Sequence, residues 1–168
     1  IDWTGPDIQS SVAEVVYRFE PLSIAFDIED ALSGVEQAEA VLDGSPVDLP
    51  FEAGPYALTV GEHRIEVTAV DHAGNVAVRS VELDVRIELD VLDDALQAAY
   101  DRGWIDNRGI LQSLLVKVNQ LQDEDDPRKI EAGLRALERQ ISALAGKRID
   151  ADFARHFLKD LAVLSERM

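Results

Sequence analysis

The stretch HRIEVTAVDHAGNVAVRSVELDV (63–85) sets two alternating apolar runs on either side of a polar knot. In the first run (63–71) every second residue is apolar, which is the pattern of a strand with one buried face. The second run (76–85) changes phase after Val76 and Val78, so its later apolar residues fall on the opposite face. The runs predict two strands, and the change of phase predicts either a β-bulge or burial on both faces.

The polar knot between the runs, DHAGN (71–75), has two interpretations. As a turn, Gly74 supplies a backbone conformation with positive φ, while Asp71 and Asn75 hydrogen-bond backbone amides. As a calcium site, Asp71 and Asn75 would bind the ion together with Asp30, but calcium takes about 6–8 oxygen ligands. Turn chemistry by itself explains the residues of DHAGN. No cofactor is therefore expected, and a bound calcium ion is the alternative. Other acidic residues available to such a site are Asp2, Asp27, Glu29 and Asp84.

Two further segments before residue 87 have the period of a strand. LSIAFDIE (22–29) alternates, and AEAVLDGSPVDL (38–49) contains Asp43-Gly44, a dipeptide that readily takes the positive φ angles of a tight hairpin. Short strands separated by Gly, Pro and Asp turns, with no helical period between them, predict an all-β sandwich over residues 1–86. This length suits an immunoglobulin-like module of about seven strands.

Several separated pieces of this half resemble the Ig-like modules that are strung along large bacterial surface and secreted proteins. The pieces are DWTGPDI, DALSGVEQAEAVLDGSPVD and LTVGEHRIEVTAVDHAGNVA, in that order within residues 2–86. The resemblance implies an Ig-like β-sandwich in which DHAGN joins the last two strands. The Cys–Trp–Cys pattern of antibody domains is absent.

After residue 86 the apolar period becomes helical. The segments 87–103 and 106–122 each carry an apolar stripe; the first ends at Gly103, and the second has Asp106 or Asn107 as its N-cap. Two more helices follow, with start and stop signals at Asp126, Pro127, Gly146 and Asp150. Four amphipathic helices with short links predict a small four-helix bundle over residues 87–168.

This second half resembles the FIMAH-type helical domains that end large secreted bacterial proteins. The resemblance covers about residues 90–166, in the phrases DRGWIDNRGILQSLLVKVNQL and AGLRALERQISALAGKRIDADFARHFLKDL. Its most telling parts are GWI (103–105), SLL (113–115) and GK-I, which denotes Gly and Lys followed by any residue and Ile (146–149). No ligand or reaction comes with the resemblance, which implies a secreted or cell-surface bacterial context and not a chemistry.

The charge of the chain is strongly negative and unevenly distributed. Residues 1–86 hold 17 Asp and Glu against 4 Arg and no Lys, a balance of −13 within a total of −17. Such a surface repels phosphate backbones and anionic lipid, which argues against binding to nucleic acids or membrane surfaces. No apolar run approaches the ~20 residues that cross a bilayer, so no membrane insertion is expected. Because cysteine is absent, disulfides, thiol catalysis and cysteine-ligated zinc are excluded.

No catalytic motif is recognisable in the sequence. Glycine-rich phosphate loops, HExxH and GxSxG are absent, and the histidines (His63, His72 and His156) have no metal-ligand spacing. We therefore expect no enzymatic activity but a non-catalytic accessory module of a large exported bacterial protein, acting as a spacer or a protein-interaction unit. Its partners would be other domains of the parent protein and, outside it, a surface protein or a polysaccharide.

The alternative function is that of a carbohydrate-binding accessory domain in a secreted polysaccharide-degrading enzyme. Such modules stack sugars on exposed aromatic rings, and Trp3 lies at the entry to the first predicted strand. Trp104 follows Gly103 and is expected in the core of the bundle. Because no Gly/Ser-rich spacer separates the two halves, we expect them to form a fairly rigid pair.

Overall fold

The computed structural model describes all 168 residues and divides into two compact units, Ile1–Arg86 and Ile87–Met168. The first unit contains nine short strands: β1 (Asp7–Ser10), β2 (Val15–Tyr17), β3 (Leu22–Ile24), β4 (Phe26–Glu29), β5 (Val35–Leu42), β6 (Ser45–Val47), β7 (Phe51–Ala53), β8 (Gly61–Asp71) and β9 (Val76–Arg86). The second contains a 3-10 turn (Leu89–Val91) and the helices α1 (Leu92–Asp101), α2 (Arg108–Gln122), α3 (Pro127–Leu144) and α4 (Ala151–Glu166). The predicted order of an all-β domain followed by an all-α domain is confirmed.

The strands of the first unit form an Ig-like sandwich of two layers. One layer is a five-stranded sheet in the order β2-β9-β8-β5-β6, in which β2 runs parallel to β9 and the other pairs are antiparallel. The other layer consists of two antiparallel pairs, β1 with β4 and β3 with β7. Two mainly antiparallel layers with alternating inward residues are the architecture that the strand pattern predicts.

An apolar core joins the two layers. One cluster, which includes Ile24 and Ile65, connects β3 to the five-stranded sheet. A second, which includes Ile8 and Val67, connects β1 to the same sheet, and Phe26 packs against both clusters. Full burial of an aliphatic side chain of this size stabilises a fold by about 1.5–3 kcal/mol. The inward positions of the alternating runs therefore hold the sandwich together.

The predicted strand 22–29 is present but interrupted at Ala25. Its first part, β3, pairs with β7, and its second part, β4, pairs with β1. The predicted inward face is preserved. Ile24 is buried, and the other residues of that face, Leu22, Phe26 and Ile28, are half-buried. This interruption, together with the short β2, explains why nine segments stand where the sequence predicts about seven strands.

The hairpin predicted at Asp43-Gly44 is confirmed. β5 and β6 pair antiparallel on either side of this dipeptide, with Leu42 opposite Ser45. Asp43 has φ 47° and Gly44 has φ 85°. Two successive positive φ angles are what a type I′ turn requires, and Asp-Gly tolerates them well.

The prediction for Val76 and Val78, a bulge or burial on both faces, is wrong. The β8–β9 register runs without a shift from Gly61 opposite Val85 to Val70 opposite Val76. Val76 and Val78 are 59% and 58% exposed, on the outer face of the sheet. Their cross-strand neighbours on that face are Val70 and Thr68. Pairs of β-branched residues stabilise a strand even on its solvent side, so apolar side chains at these positions do not require burial.

The second unit is a bundle of four helices in which each helix packs on the next along the chain. The apolar stripes predicted from the sequence face inward, and their fully buried members include Leu96, Leu114, Leu134, Leu137, Phe157 and Leu161. The link after α1 and the link before α4 also meet. Ile105 forms a bridge with Ile149, and the backbone N–H of Asp150 donates to the carbonyl of Trp104 at 2.7 Å.

The predicted starts of α2, α3 and α4 agree with the observed caps, whereas the first predicted segment, 87–103, forms an α-helix only over Leu92–Asp101. Asn107, Asp126 and Asp150 each accept hydrogen bonds from backbone N–H groups in the first turn of the following helix. Helix α1 ends at Asp101 and is followed by Gly103, where φ is 78° and the N–H donates to the Tyr100 carbonyl at 2.9 Å. Side-chain caps of this kind contribute about 1 kcal/mol each. None of the helices is both long and apolar enough to cross a lipid bilayer.

Candidate functional site

Three polar segments of the sandwich converge around a group of carboxylates. They are the N-terminal segment before β1, the β4–β5 loop and the β8–β9 turn, which contribute Asp2, Asp30 and Asp71 respectively. One oxygen from each of these residues lies within 4.8 Å of the others. We call these three residues the aspartate cluster.

Asp71 is the buried member of the aspartate cluster and organises the β8–β9 turn. Its side chain has no exposed surface. Its Oδ1 accepts hydrogen bonds from the N–H groups of Ala73 and Asn75, both at 2.8 Å, and Gly74 has φ 87°. A buried carboxylate that accepts several hydrogen bonds avoids the cost of losing its water. The turn interpretation of DHAGN is therefore confirmed for Asp71 and Gly74. It is wrong for the side chain of Asn75, which donates to Asp71 and to backbone carbonyls of the N-terminal segment and bonds no backbone amide of the turn.

Asp30 organises the β4–β5 loop in a similar way. Its Oδ1 accepts hydrogen bonds from the N–H groups of Ser33 and Gly34, both at 2.7 Å, and from that of Leu32 at 3.2 Å. A short side chain that accepts from the amides just after it in the chain closes a loop much as it caps a helix. The hydrogen bonds on Asp30 fix the loop from which β5 begins.

Asp2 and Asn75 tie the N-terminal segment to the two loops. Oδ1 of Asp2 accepts from the N–H and hydroxyl of Thr4 at 2.9 and 2.8 Å, and Oδ2 accepts from the Ser33 hydroxyl at 2.9 Å. The amide nitrogen of Asn75 donates to Oδ2 of Asp71 at 2.8 Å and to the Thr4 carbonyl at 3.1 Å. It also lies 3.3 Å from the carbonyl of Asp2. The cluster thus joins residues separated by up to 73 positions in the sequence.

Hydrogen bonding shifts the acidity of two carboxyls of the cluster. Burial raises the pKa of Asp71, but the hydrogen bonds from Asn75, Ser33 and Ala73 outweigh it, so the pKa lies below 3.8. The pKa of Asp2 is also below 3.8, because Thr4 and then Ser33 donate to its carboxylate. Donors that favour the ionised form therefore keep these two groups charged at neutral pH.

The aspartate cluster meets one requirement of a calcium site and lacks another. Three converging carboxylates supply negative charge, and the arginines Arg64 and Arg86 form their ion pairs with other carboxylates. Calcium, however, takes about 6–8 oxygen ligands. Asn75, one of the predicted ligands, directs its amide nitrogen and not its oxygen towards Asp71. Hydrogen bonding explains the convergence, and a calcium ion here would have to draw most of its ligands from water.

The sequence identified part of this site. Of the predicted ligands, Asp30, Asp71 and Asn75 all lie in it, as does Asp2. Asp27, Glu29 and Asp84 lie outside the aspartate cluster: the first two are exposed on β4, and the third pairs with Arg86 on β9. The sequence reasoning missed Ser33 and Thr4, whose hydroxyls donate to the cluster. The phrase DALSG, an Asp followed by Ser and Gly, was the available signal for Ser33.

Two of the histidines serve the fold of the sandwich. His63 is 8% exposed; its Nδ1 lies 2.6 Å from Oδ2 of Asp43 and its Nε2 lies 2.8 Å from the carbonyl of Thr59. His72 is exposed, and its Nδ1 lies 3.0 Å from the carbonyl of Gly34. Both ring nitrogens of His63 therefore face protein acceptors, which leaves neither available to a substrate.

The prediction that Trp104 lies in the core of the bundle is met only in part. This residue is half-buried in the helical unit and stacks on Phe153, with 5.7 Å between ring centroids. Trp3 is 82% exposed, next to Asp2 and Thr4 of the candidate site. Tyr56 is buried, and the Arg18 guanidinium lies over its ring at 5.5 Å. Trp3 is thus the ring placed to meet a ligand in solution.

Comparison with known proteins adds one sequence relative and several loose structural likenesses. No family model matches the chain. A stretch of 78 residues, 46% of the chain, is 37% identical to "Uncharacterized protein YvnB" of Bacillus subtilis (strain 168), of which it spans 6%. The chain therefore spans only a small part of the length of this relative.

The solved structures that resemble the chain do so at low identity. Fibronectin(III)-like modules of Clostridium thermocellum CbhA match 48% of this chain and 97% of theirs, with 21% identity and a TM-score of 0.38. The SrpA adhesin of Streptococcus sanguinis matches 54% and 61%, with 20% identity and a TM-score of 0.39. An endo-beta-1,4-mannanase from Thermotoga petrophila matches 52% and 21%, with 11% identity and a TM-score of 0.42. The sandwich is accordingly assigned from its own strand order and core.

Proposed function

We propose that the chain is a non-catalytic accessory module of a larger exported bacterial protein, where it acts as a spacer or a protein-interaction unit. The observation that carries this proposal is the match to a much longer relative, since a stretch 37% identical to the chain makes up only 6% of that protein. A compact unit that corresponds to a small part of a long chain is typical of modular proteins, in which domains of about 50–200 residues are joined in series.

The chemistry of the sandwich supports a structural role for its polar groups. The buried His63 and Asp71 are each held by hydrogen bonds from or to neighbouring loops. A general base has to reach the proton that it removes, within about 2.6–3.2 Å or through one water. Groups whose polar atoms are already engaged in holding turns together are poorly suited to that task.

We further infer that the second unit is a FIMAH-type domain. Two of the most telling parts of the resemblance, GWI and GK-I, are brought together in the fold, because Ile105 bridges Ile149 and the carbonyl of Trp104 accepts from the N–H of Asp150. Residues that are distant in sequence but form one contact are a stronger signature than either phrase alone. The resemblances of both halves also support a secreted or cell-surface location for the parent protein.

The absence of catalysis is tested with the purified chain against a panel of polysaccharide, peptide and phosphoester substrates. We expect no turnover above the background of a mock purification. Reproducible turnover that co-purifies with the chain would contradict the proposal, since an accessory module contributes position and binding and not bond cleavage.

A second candidate is carbohydrate binding, and the exposure of Trp3 favours it. An indole that is 82% exposed offers a flat apolar face of the kind on which sugar rings stack. Affinity electrophoresis through gels that contain soluble plant or bacterial polysaccharides tests this candidate. Retardation that Trp3→Ala abolishes and Val78→Ala leaves intact would establish it, whereas unretarded migration in every gel would exclude those glycans.

A further inference from the structure

We propose that a groove beside β1 and β4 binds an extended, basic segment of a partner polypeptide. This inference rests on the proposed role as a protein-interaction unit and adds to it the binding surface and the chemical class of the partner.

The groove lies where the N-terminal segment, the end of β4 and the start of β5 meet. It has a volume of about 660 Å³. Its lining is partly apolar and partly acidic, from Ile28, Leu32 and Val35 together with Asp7, Glu29 and Asp30. Cavities that take small ligands fall in the range of about 300–1,000 Å³, so this groove suits a few side chains of a peptide better than a folded surface.

Exposed apolar side chains adjoin the groove. Leu32, one of its lining residues, is 73% exposed, and Trp3, one position before the lining residue Thr4, is 82% exposed. Exposed apolar side chains beside charged residues are a common feature of interaction sites. A partner side chain that covers Leu32 would remove this surface from water, which gives the groove an apolar anchor point.

The charge of the groove selects the class of partner. Asp7 and Glu29 are exposed acids, and the ion pairs of Arg64 and Arg86 involve other carboxylates. The amide of Gln9 donates to both oxygens of Asp7, at 3.0 and 2.9 Å, which orients this carboxylate without neutralising it. The whole sandwich has a balance of −13 and no lysine. A cationic segment is the complement of such a surface, and opposite charges speed and orient its docking.

The lining favours a peptide over a glycan. None of the residues that line the groove is aromatic, so a sugar ring would find no stacking platform inside it. Sugar hydroxyls can donate to carboxylates as lysine and arginine do, but only the basic side chains also compensate the negative charge of the groove. Alternating basic and apolar side chains would match the mixed lining.

The test measures binding of a fluorescein-labelled hexapeptide of alternating Lys or Arg and Leu to the full chain by fluorescence anisotropy. A counterpart with Glu in place of each basic residue is the negative probe. We expect the basic peptide to bind and the acidic one not to bind, with affinity falling at least about tenfold between about 20 mM and about 300 mM NaCl. The double variant Asp7→Asn with Glu29→Gln should weaken binding about fivefold, and Leu32→Ala should weaken it several-fold.

Matched control variants distinguish peptide binding in the groove from unspecific attraction of the peptide to the acidic surface of the sandwich. Glu52→Gln removes an exposed acid from β7, and Val78→Ala trims an exposed apolar residue, 58% exposed, on β9. Both controls should bind the basic peptide as the unmodified chain does. All of these positions are exposed, and circular dichroism verifies that each variant is folded.

Several results would overturn the inference. They are the absence of peptide binding, equal weakening by the control and groove variants, and glycan retardation that the groove variants abolish. The substrate panel is an independent measurement. If no substrate of the panel is turned over and the basic peptide does not bind, the accessory role stands and only the groove proposal fails. Turnover of a substrate would contradict the accessory role itself.

Discussion

His63 of β8 is paired with Asp43 of the β5–β6 hairpin, with 2.6 Å between Nδ1 of the imidazole and Oδ2 of the carboxylate. The other ring nitrogen faces the carbonyl of Thr59 at 2.8 Å. A carbonyl and a carboxylate both act as acceptors, so the two contacts are satisfied together only by the doubly protonated ring. This geometry therefore favours the imidazolium form of His63, which is 8% exposed at the base of the hairpin turn.

This pair predicts a pH dependence of the stability of the sandwich. Burial lowers the pKa of His63, but the hydrogen bonds to Thr59 and Asp43 outweigh it and the pKa is raised above 6.5. The folded state thus binds the proton more tightly than the unfolded state. Its stabilisation is full below about pH 6.5 and is lost as the pH rises through the folded pKa. We expect the free energy of unfolding to be about 0.5–1 kcal/mol larger at pH 6 than at pH 8.5.

The contribution of Asp43 to stability depends on pH in the opposite direction. The N–H of Arg64 and then His63 donate to Asp43, which lowers the pKa of its carboxyl below 3.8. That stabilisation is present above pH 3.8 and is lost as the pH falls through the folded pKa. Urea unfolding followed through sandwich amide resonances measures both limits. His63→Gln should abolish the alkaline loss and His72→Gln should retain it; an unchanged alkaline loss in His63→Gln would refute the assignment.

A second prediction concerns Asn75, whose side-chain amide links the turn to the N-terminal segment. Asn75→Ala removes its hydrogen bonds to Asp71 and Thr4 and should lower the melting temperature of the sandwich by about 4–8 °C. Asn75→Asp keeps the shape but places a fourth carboxylate against the aspartate cluster, so it should be the more damaging change at pH 7 in the presence of EDTA. Differential scanning calorimetry measures both. Equal losses in the two variants would show that charge in the cluster has no effect.

The regular elements of this protein were predictable because their signals are local. Asp43-Gly44 specifies a type I′ turn through its own backbone preferences, and Asp126 followed by Pro127 begins a helix through a cap and a fixed φ. The break at Ala25 was not predictable, because the alternation of residues 22–29 continues unbroken through it. Which neighbour each half of that strand pairs with is decided by the other strands of the layer.

The aspartate cluster was only partly predictable for the same physical reason. Asp71 and Asn75 share one turn, so their contact follows from a short sequence. The contact of Asp2 with Ser33 joins positions 31 apart, and sequence alone does not state that the N-terminal segment passes there. Gly5 shows how close that passage is, since a Cβ at this position would lie 3.1 Å from the carbonyl oxygen of Val76.

A third prediction addresses the packing of the helical unit at Gly133 of α3. A Cβ at this position would lie 2.2 Å from Cδ2 of Leu121, a buried residue of α2. Gly133→Ala gains about 1 kcal/mol of helix propensity but forces Leu121 to move, and overpacking costs about 1–3 kcal/mol. We expect a net loss of about 1 kcal/mol in urea unfolding. Ser142→Ala, at an exposed position of the same helix, should cause no loss; a stabilised Gly133→Ala variant would mean that Leu121 relaxes freely.

The last prediction decides between hydrogen bonding and calcium at the aspartate cluster. The hydrogen bonds on Asp2, Asp30 and Asp71 already stabilise the charged carboxylates, and few protein oxygens remain for an ion that takes about 6–8. We therefore expect the melting temperature of the sandwich to be the same in about 2 mM calcium as in EDTA. A calcium site with a Kd of about 1 mM would instead raise it by roughly 3–5 °C at that concentration.

The control for the calcium measurement is Asp30→Asn, which removes one charge but keeps an oxygen to accept from Ser33 and Gly34. If the unmodified chain shows no calcium shift and Asp30→Asn shows none either, hydrogen bonding accounts for the cluster. A shift of several degrees that Asp30→Asn abolishes, and that magnesium does not reproduce, would contradict this conclusion. It would mean that water completes a coordination shell around the three carboxylates, because the protein atoms at the cluster supply too few ligands on their own.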